Sequence, residues 1–129
     1  MQKHVTFRNR SSERLAGVLH MPQDQANGFG VILCHGMESS KDSLKHLRLG
    51  ESLSRVGFAV LRFDFTGAGE SSGEFESITY ARQVDDLGAA HELLRAHGAE
   101  QVGIIGSSMG GTTALLYAGT AERVEAVVT

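Results

Sequence analysis

The chain has 129 residues, of which 41% are hydrophobic and 21% charged, and its formal net charge is −3. This composition is typical of one ordinary globular domain with a single core. The charges are interspersed without a basic patch, which argues against a nucleic-acid partner, and no run is long and apolar enough for a membrane span. The single cysteine, Cys34, excludes an intrachain disulfide and a CxxC metal pair.

The first ten residues, MQKHVTFRNR, lack the apolar segment of a secretory signal, and we therefore expect a cytoplasmic protein. The six histidines show no spacing typical of metal ligands, so no metal site is expected. One of them, His91, lies on the apolar face of a predicted helix and is interpreted as a packed core or boundary residue.

Short apolar segments alternate with longer amphipathic ones along the chain. The pattern predicts six strands, at Lys3–Phe7, Leu15–His20, Gly30–Cys34, Ala59–Phe63, Val102–Ile105 and Val124–Val128. It predicts three helices, from Asp42 or Ser43 to a stop at Gly57, from about Ser77 to His97, and at Met109–Ala118. Strands and helices alternate from the third strand onward, which indicates a doubly wound, mostly parallel α/β sheet with helices on both faces.

Ligand sites in such sheets lie beyond the carboxyl ends of the strands, here just after Cys34, Phe63 and Ile105. The last of these positions begins the stretch GSSMG, a G-x-S-x-G motif between an apolar strand and a helix. Gly106 and Gly110 flank Ser108 at the motif's spacing, whereas the matching neighbours of Ser107 are not glycines. Ser108 is therefore the candidate nucleophile, on a sharp bend where larger neighbours would collide with the adjacent strand and helix. A purely structural or phosphate-binding turn is the alternative, and the spacing of a dinucleotide-binding loop is absent.

The second motif, LCHGMESS, follows the third strand. Gly36 allows the backbone to turn over the end of the sheet, so that the N–H of Met37 can point into the site. With the N–H of Met109 it would form an oxyanion hole. His35 is interpreted as a residue that shapes this loop rather than a general base, and Cys34 as a small buried core residue.

The third motif, RFDFTGAGESSGEF, is interpreted as a loop at the rim of the site, since no helix or lysine follows its glycines to form a phosphate cradle. Asp64 in this loop is predicted to organise it rather than to act in catalysis. Asp85 and Asp86 are both predicted to lie on a solvated helix face without a catalytic role.

These three motifs, in this order, resemble the α/β-hydrolase superfamily, in particular esterases and acyl hydrolases related to feruloyl esterases, monoacylglycerol lipases and serine aminopeptidase-like proteins. Ala68 stands where such proteins often have a noncatalytic histidine. The resemblance implies that Ser108 attacks an acyl carbonyl, with an acid and then a histidine following it in the chain. Only two acids, Glu122 and Glu125, and no histidine follow Ser108 here.

Residues 1–129 are therefore expected to be the N-terminal portion of one α/β-hydrolase domain, with strands 1 to 6 and an incomplete C-terminal end. The expected function is hydrolysis of small carboxylic esters or thioesters, without a cofactor, a membrane or a nucleic acid. A serine peptidase or acyltransferase on the same fold, and a non-catalytic module, remain as alternatives. The sequence does not indicate an oligomeric state.

Overall fold

The computed structural model of the protein describes residues 1–22 and 25–129. Within these residues, six strands and three α-helices follow one another, and a short 3₁₀ turn at Phe75–Ser77 precedes the second helix. Their bounds are β1 Gln2–Arg8, β2 Arg14–His20, β3 Phe29–Cys34, α1 Leu44–Arg55, β4 Ala59–Phe63, α2 Tyr80–Ala96, β5 Gln101–Gly106, α3 Met109–Thr120 and β6 Val124–Val128.

The strands form one sheet in the order β1-β2-β4-β3-β5-β6. The pairs β1–β2 and β2–β4 are antiparallel, whereas β4–β3, β3–β5 and β5–β6 are parallel. The chain moves outward from β3 to β4 on one side, then returns past β3 to β5 on the other. Such a reversal opens a crevice at the carboxyl ends of the strands, where open α/β sheets bind ligands. The predicted mostly parallel α/β sheet is confirmed.

Alternate residues of the central strands pack against helices on opposite faces of the sheet, as the two-residue period of a strand requires. On one face, Val31 and Leu33 of β3 pack with Leu49 and Leu53 of α1. On the other face, Ile32 and its neighbours form the larger cluster with side chains of α2 and α3, including Leu87, Leu94 and Ala114. Helices therefore cover both faces, as the alternation of elements predicts.

Local capping sets the helix starts. Ser43 is confirmed as the N-cap of α1, since its hydroxyl accepts a hydrogen bond from the N–H of His46 at 3.4 Å. The predicted start of α2 at Ser77 is wrong. Thr79 caps this helix by accepting from the N–H of Arg82 at 3.1 Å, and Ile78 before it is extended. The preceding residues form the 3₁₀ turn instead of the first helical turn.

The prediction that Asp85 and Asp86 share a solvated face is wrong for Asp86, which is fully buried, whereas Asp85 is half-buried. The carboxylate of Asp86 accepts from the side-chain amide of Asn9 at 2.8 Å and from the N–H and hydroxyl of Thr66 at 2.7 and 2.9 Å. Burial raises the pKa of Asp86 despite these hydrogen bonds. Helix α2 is thereby joined to the β1–β2 turn and to the loop after β4.

Strand β6 forms one edge of the sheet, and among the described strands it is hydrogen-bonded to β5 alone. Leu115 and Leu116 on the neighbouring α3 are about half exposed, at 58% and 48%. Within the part of the chain that the structure describes, no helix combines the length and apolarity needed to cross a bilayer.

Candidate active site

Ser108 occupies the bend between β5 and α3, one residue before the helix begins, and it is exposed. Its backbone has φ 54° and ψ −118°, a region that non-glycine residues rarely adopt. A strained backbone of this kind persists only where its surroundings enforce it, and it is concentrated at functional sites. The bend places Ser108 at the positive end of a twelve-residue helix.

The two glycines of the motif are required by close backbone contacts. A Cβ on Gly106 would lie 2.5 Å from the carbonyl oxygen of Gly110, at the start of α3. A Cβ on Gly110 would lie 2.5 Å from the carbonyl oxygen of His35 and closer still to that of Cys34. The collisions expected from the motif are therefore present, one with the helix and one with the strand beside it. The N–H of Ser107 also donates to the carbonyl of Cys34 at 3.1 Å, which ties the bend to β3.

The loop after β3 turns tightly, since the N–H of Ser39 donates to the carbonyl of Gly36 at 3.2 Å. A Cβ on Gly36 would be 3.3 Å from the carbonyl oxygen of Ser107, so this glycine is less tightly constrained than Gly110. Met37 is 61% exposed, whereas Met109 is buried. Among residues 1–22 and 25–129, no hydrogen bond uses the backbone N–H of Met37 or of Met109. Both groups remain free to donate to a bound oxygen.

His35 is buried and both nitrogens of its ring are engaged. Nδ1 donates to the carbonyl of Gly36 at 2.8 Å, and Nε2 accepts from the N–H of Phe65 at 3.1 Å. Burial lowers the pKa of His35. These bonds join the loop after β3 to the loop after β4 and favour the shaping role over that of a base. Cys34 is fully buried, and burial raises the pKa of its thiol, as expected of an inert core residue.

Asp64 organises the loop after β4, as predicted. It accepts from the backbone N–H and the ammonium of Lys41 at 2.8 and 2.9 Å, and from the N–H of Glu70 at 2.9 Å. A Cβ on Gly69 would overlap its carboxylate, so the loop wraps around this side chain. Asp64 is completely buried, and its carboxylate is occupied by these structural hydrogen bonds.

Two cavities flank the loop after β3. The first, of about 300 Å³, contains Ser108 and is lined by Gly36, Met37, Ser39, Ser43, Lys45, His46, Ser107 and Ser108. The second, of about 340 Å³, has a wall that includes Phe65, Phe75, Ile78 and Met109. Both volumes are at the small end of the range for small-molecule sites.

Sequence reasoning missed two residues in the cavity of Ser108, Lys45 and His46. The ammonium of Lys45 donates to the hydroxyl of Ser107 at 2.6 Å. His46 is 2% exposed, and within the described residues its Nδ1 has no hydrogen-bond partner. Burial lowers the pKa of His46 to about 4, reinforced by repulsion from the nearby titratable group of His35 and from the charges of Lys45 and Arg62. The available signal was their position in the first turn of the helix that follows the LCHGMESS motif.

The acids that follow Ser108 lie away from it. Glu122 is in the turn before β6, and Glu125 is near the start of that strand; both are exposed. Because β6 runs parallel to β5, the start of β6 lies at the end of the sheet opposite Ser108.

In the described portion of the chain, no cluster of three side chains fit to bind a metal is present. His91, predicted as a packed boundary residue, is buried and pairs with the hydroxyl of Tyr117 at 2.7 Å.

Comparison with known proteins agrees with this architecture. A sequence model of the alpha/beta hydrolase fold matches residues 31–129. The chain belongs to the alpha/beta hydrolase family. The uncharacterised protein YqkD of Bacillus subtilis is one of the proteins similar to this chain, 38% identical over 76% of this chain and 31% of its own length. Human mitochondrial palmitoyl-protein thioesterase ABHD10 is 31% identical over 77% of this chain and 32% of its own.

Among solved alpha/beta hydrolase structures, the esterase Pf2001 of Pyrococcus furiosus superposes with a TM-score of 0.85 at 25% identity. The superposition covers 98% of this chain and 50% of the esterase. Against the curated relatives it matches, the chain spans no more than 43% of their length.

Proposed function

We propose that this sequence carries the nucleophile of a serine hydrolase that cleaves small carboxylic esters or thioesters. The observation that carries the proposal is the backbone of Ser108, held at φ 54° between two glycines that admit no side chain. This backbone supports a nucleophile elbow, the bend that lifts a hydroxyl out of the sheet at the start of a helix. The esterase and thioesterase among the similar proteins support the substrate class.

The reaction proceeds in two steps. The oxygen of Ser108 bonds to the acyl carbon, its proton passes to a base, and the alcohol or thiol departs with a proton. Water then attacks the acyl-enzyme, releases the acid and restores the hydroxyl. The free N–H groups of Met37 and Met109 are proposed to bind the oxyanion of both tetrahedral intermediates. Gly36 and His35 hold the loop that carries the first of them.

The catalytic base and its acid are proposed to come from a longer polypeptide of which residues 1–129 form the N-terminal part. The family order of serine, acid and histidine supports this, since the histidines of this chain all precede Ser108. His35 has both ring nitrogens engaged, and the pKa of His46, near 4, is too low for an efficient base at neutral pH.

A fluorophosphonate probe tests the proposal, because it phosphonylates activated serines. We would label a lysate of the source cells and, separately, the purified 129-residue chain, and map the modified residue by mass spectrometry. The expected result is an adduct on Ser108 in a longer polypeptide, lost in Ser108→Ala and kept in the exposed helix variant Ser52→Ala. An adduct on Ser107, or none that depends on Ser108, would overturn the proposed nucleophile. Rapid labelling of the isolated chain would instead overturn the external base.

A further inference from the structure

We propose that Gln83 is a positioning residue of the proposed hydrolase, which holds the first turn of α3 so that the N–H of Met109 stays directed at the oxyanion. The inference rests on the proposed function, because the N–H of Met109 has this task only there. It assigns a role to a buried amide that the serine mechanism itself does not use.

The side-chain amide of Gln83 bridges α2 and α3. Gln83 lies in the first turn of α2 and is 1% exposed. Its Nε2 donates to the sulfur of Met109 at 3.3 Å, and its Oε1 accepts from the hydroxyl of Thr113 at 2.6 Å. Met109 and Thr113 are one turn apart on the same face of the helix, so the amide spans the first turn of α3. That turn begins with the proposed oxyanion donor.

The chemistry of the partners fixes the orientation of this amide. A thioether sulfur accepts hydrogen bonds but has no proton to donate, so the NH₂ end of Gln83 must face Met109 and the carbonyl end Thr113. A methionine side chain has three rotatable bonds and is otherwise adaptable. The bond to its sulfur therefore selects one conformation of Met109.

Glutamine is an unusual residue for a buried position such as this one. It is mostly found at surfaces, and burying its amide costs free energy unless both ends are hydrogen-bonded. A leucine or methionine would fill a similar volume without that cost. Because sulfur is a weak acceptor, the bond from Gln83 adds little to stability. The amide is better explained by the geometry that it imposes on Met109.

The start of α3 lacks the kind of side-chain cap that fixes α1 and α2. Ser43 caps α1 and Thr79 caps α2, each through its hydroxyl. Among the described residues, no side-chain hydrogen bond caps α3, where Ser108 occupies the N-cap position. A hydroxyl that acts as a nucleophile cannot also be committed to capping its own helix. The backbone contacts of Gly110 hold this turn on the β3 side, and Gln83 holds it on the α2 side.

Loss of this support is expected to slow the chemical step and to leave substrate binding nearly unchanged. The oxyanion forms only as the tetrahedral intermediates form, so its donors stabilise the transition states rather than the bound ester. Removing an oxyanion donor outright lowers kcat by about 10²–10³. A donor that is kept but held less firmly should cost less, about tenfold.

Hydrolysis of p-nitrophenyl acetate by the longer polypeptide tests the role of Gln83. Gln83→Met keeps the approximate size of the side chain and removes both hydrogen bonds. Its kcat is expected to fall about tenfold, with KM changed by no more than about twofold. Leu87→Val is the control, because it shortens a buried side chain one turn further along α2 and should lower stability without changing kcat. An unchanged kcat in Gln83→Met, a rise in KM alone, or an equal loss of kcat in the control would overturn the inference.

A double variant shows whether Gln83 acts through Met109. Met109→Leu removes the sulfur but keeps the backbone N–H, so adding Gln83→Met to it is expected to reduce kcat no further. If the two losses multiply instead, Gln83 acts elsewhere and the inference is overturned.

Thr113 provides a second test, which decides the question if Gln83→Met does not fold. Thr113→Val frees the carbonyl end of the amide and is expected to lower kcat. Thr113→Ser keeps the hydroxyl that donates to Gln83 and should preserve kcat. Equal kcat in these two variants would overturn the inference. Circular dichroism verifies that each variant is folded.

Failure of the inference is distinguishable from failure of the proposed function. Turnover that depends on Ser108 but not on Gln83 overturns the inference alone. Absence of turnover that depends on Ser108 overturns the hydrolase proposal, and with it the role of Gln83.

Discussion

The ammonium of Lys41 lies 2.9 Å from a carboxylate oxygen of Asp64, and neither side chain reaches solvent, with exposures of 1% and 0%. Lys41 also contacts Asp42 and Glu70, whose side chains are largely exposed. Burial acts to lower the pKa of Lys41, but its hydrogen bonds to the three carboxylates raise the pKa overall. The ion pair joins the segment before α1 to the loop after β4, and so holds two loops of the site together.

Replacing Lys41 by methionine is expected to destabilise the fold by about 3–5 kcal/mol, since it leaves the buried carboxylate of Asp64 without its cation. Urea denaturation measures the loss. Lys45→Met is the matched control, because Lys45 is exposed and its removal should change stability by no more than about 0.5 kcal/mol. Equal losses in the two variants would contradict the structural role of the Lys41–Asp64 pair.

Gly110→Ala is expected to prevent stable folding or to reduce stability by more than about 3 kcal/mol, because the added methyl overlaps the backbone of β3. Gly119→Ala, in the same helix, has open space around its Cβ and should instead stabilise the protein by up to about 1 kcal/mol. Thermal melts of both variants test this contrast. A well-folded Gly110→Ala protein would show that α3 does not approach β3 as described.

Asp86→Ala is expected to cost about 2–4 kcal/mol, since it leaves Asn9 and the N–H of Thr66 without their buried acceptor. Asp85→Ala, one position earlier on α2, should change the free energy of unfolding by less than about 0.5 kcal/mol. Chemical denaturation of the pair distinguishes the buried acid from its half-buried neighbour. A larger loss of stability in Asp85→Ala than in Asp86→Ala would contradict the burial of Asp86 and support the solvated face predicted from the sequence.

Stability should fall on acidification from pH 6.5 toward 4. Burial, then the charge of Arg62, lowers the pKa of His20 from 6.5 to about 4, and the pKa of His46 is lowered to a similar value. Between pH 6.5 and 4 these imidazoles bind protons in the unfolded chain but stay neutral in the folded protein, so acid favours unfolding. The raised pKa of Asp86 acts in the opposite direction, but it is a single group.

Denaturation midpoints at pH 7, 5.5 and 4.5 give the size of this effect. His20→Gln removes one of the histidines whose pKa is lowered and keeps an acceptor for the guanidinium of Arg62, so its stability should depend less on pH. A midpoint that is constant or rises on acidification would exclude the lowered pKa values.

Local sequence predicts an element well where its signals are also local. Ala59–Phe63 has the predicted bounds because Gly57 and Asp64 delimit a short apolar run. The burial of Asp86 depends on Asn9, 77 positions away along the chain, and the cavity contact of Lys45 depends on Ser107, 62 positions away. No local pattern contains such partners. The motif glycines predict the bend at Ser108, but the catalytic role of Ser108 stays a prediction.

The approach of Gly110 to the backbone of Cys34 and His35 has an evolutionary consequence. One backbone contact sets the spacing between the turn of Ser108 and the loop of Met37, so neither segment can shift its backbone unless the other shifts too. The side chains around them, such as Met37 and Lys45, take no part in that contact and can be exchanged one at a time. Substitutions at these side chains can therefore accumulate without altering the backbone bend at Ser108, in natural variation as in directed evolution.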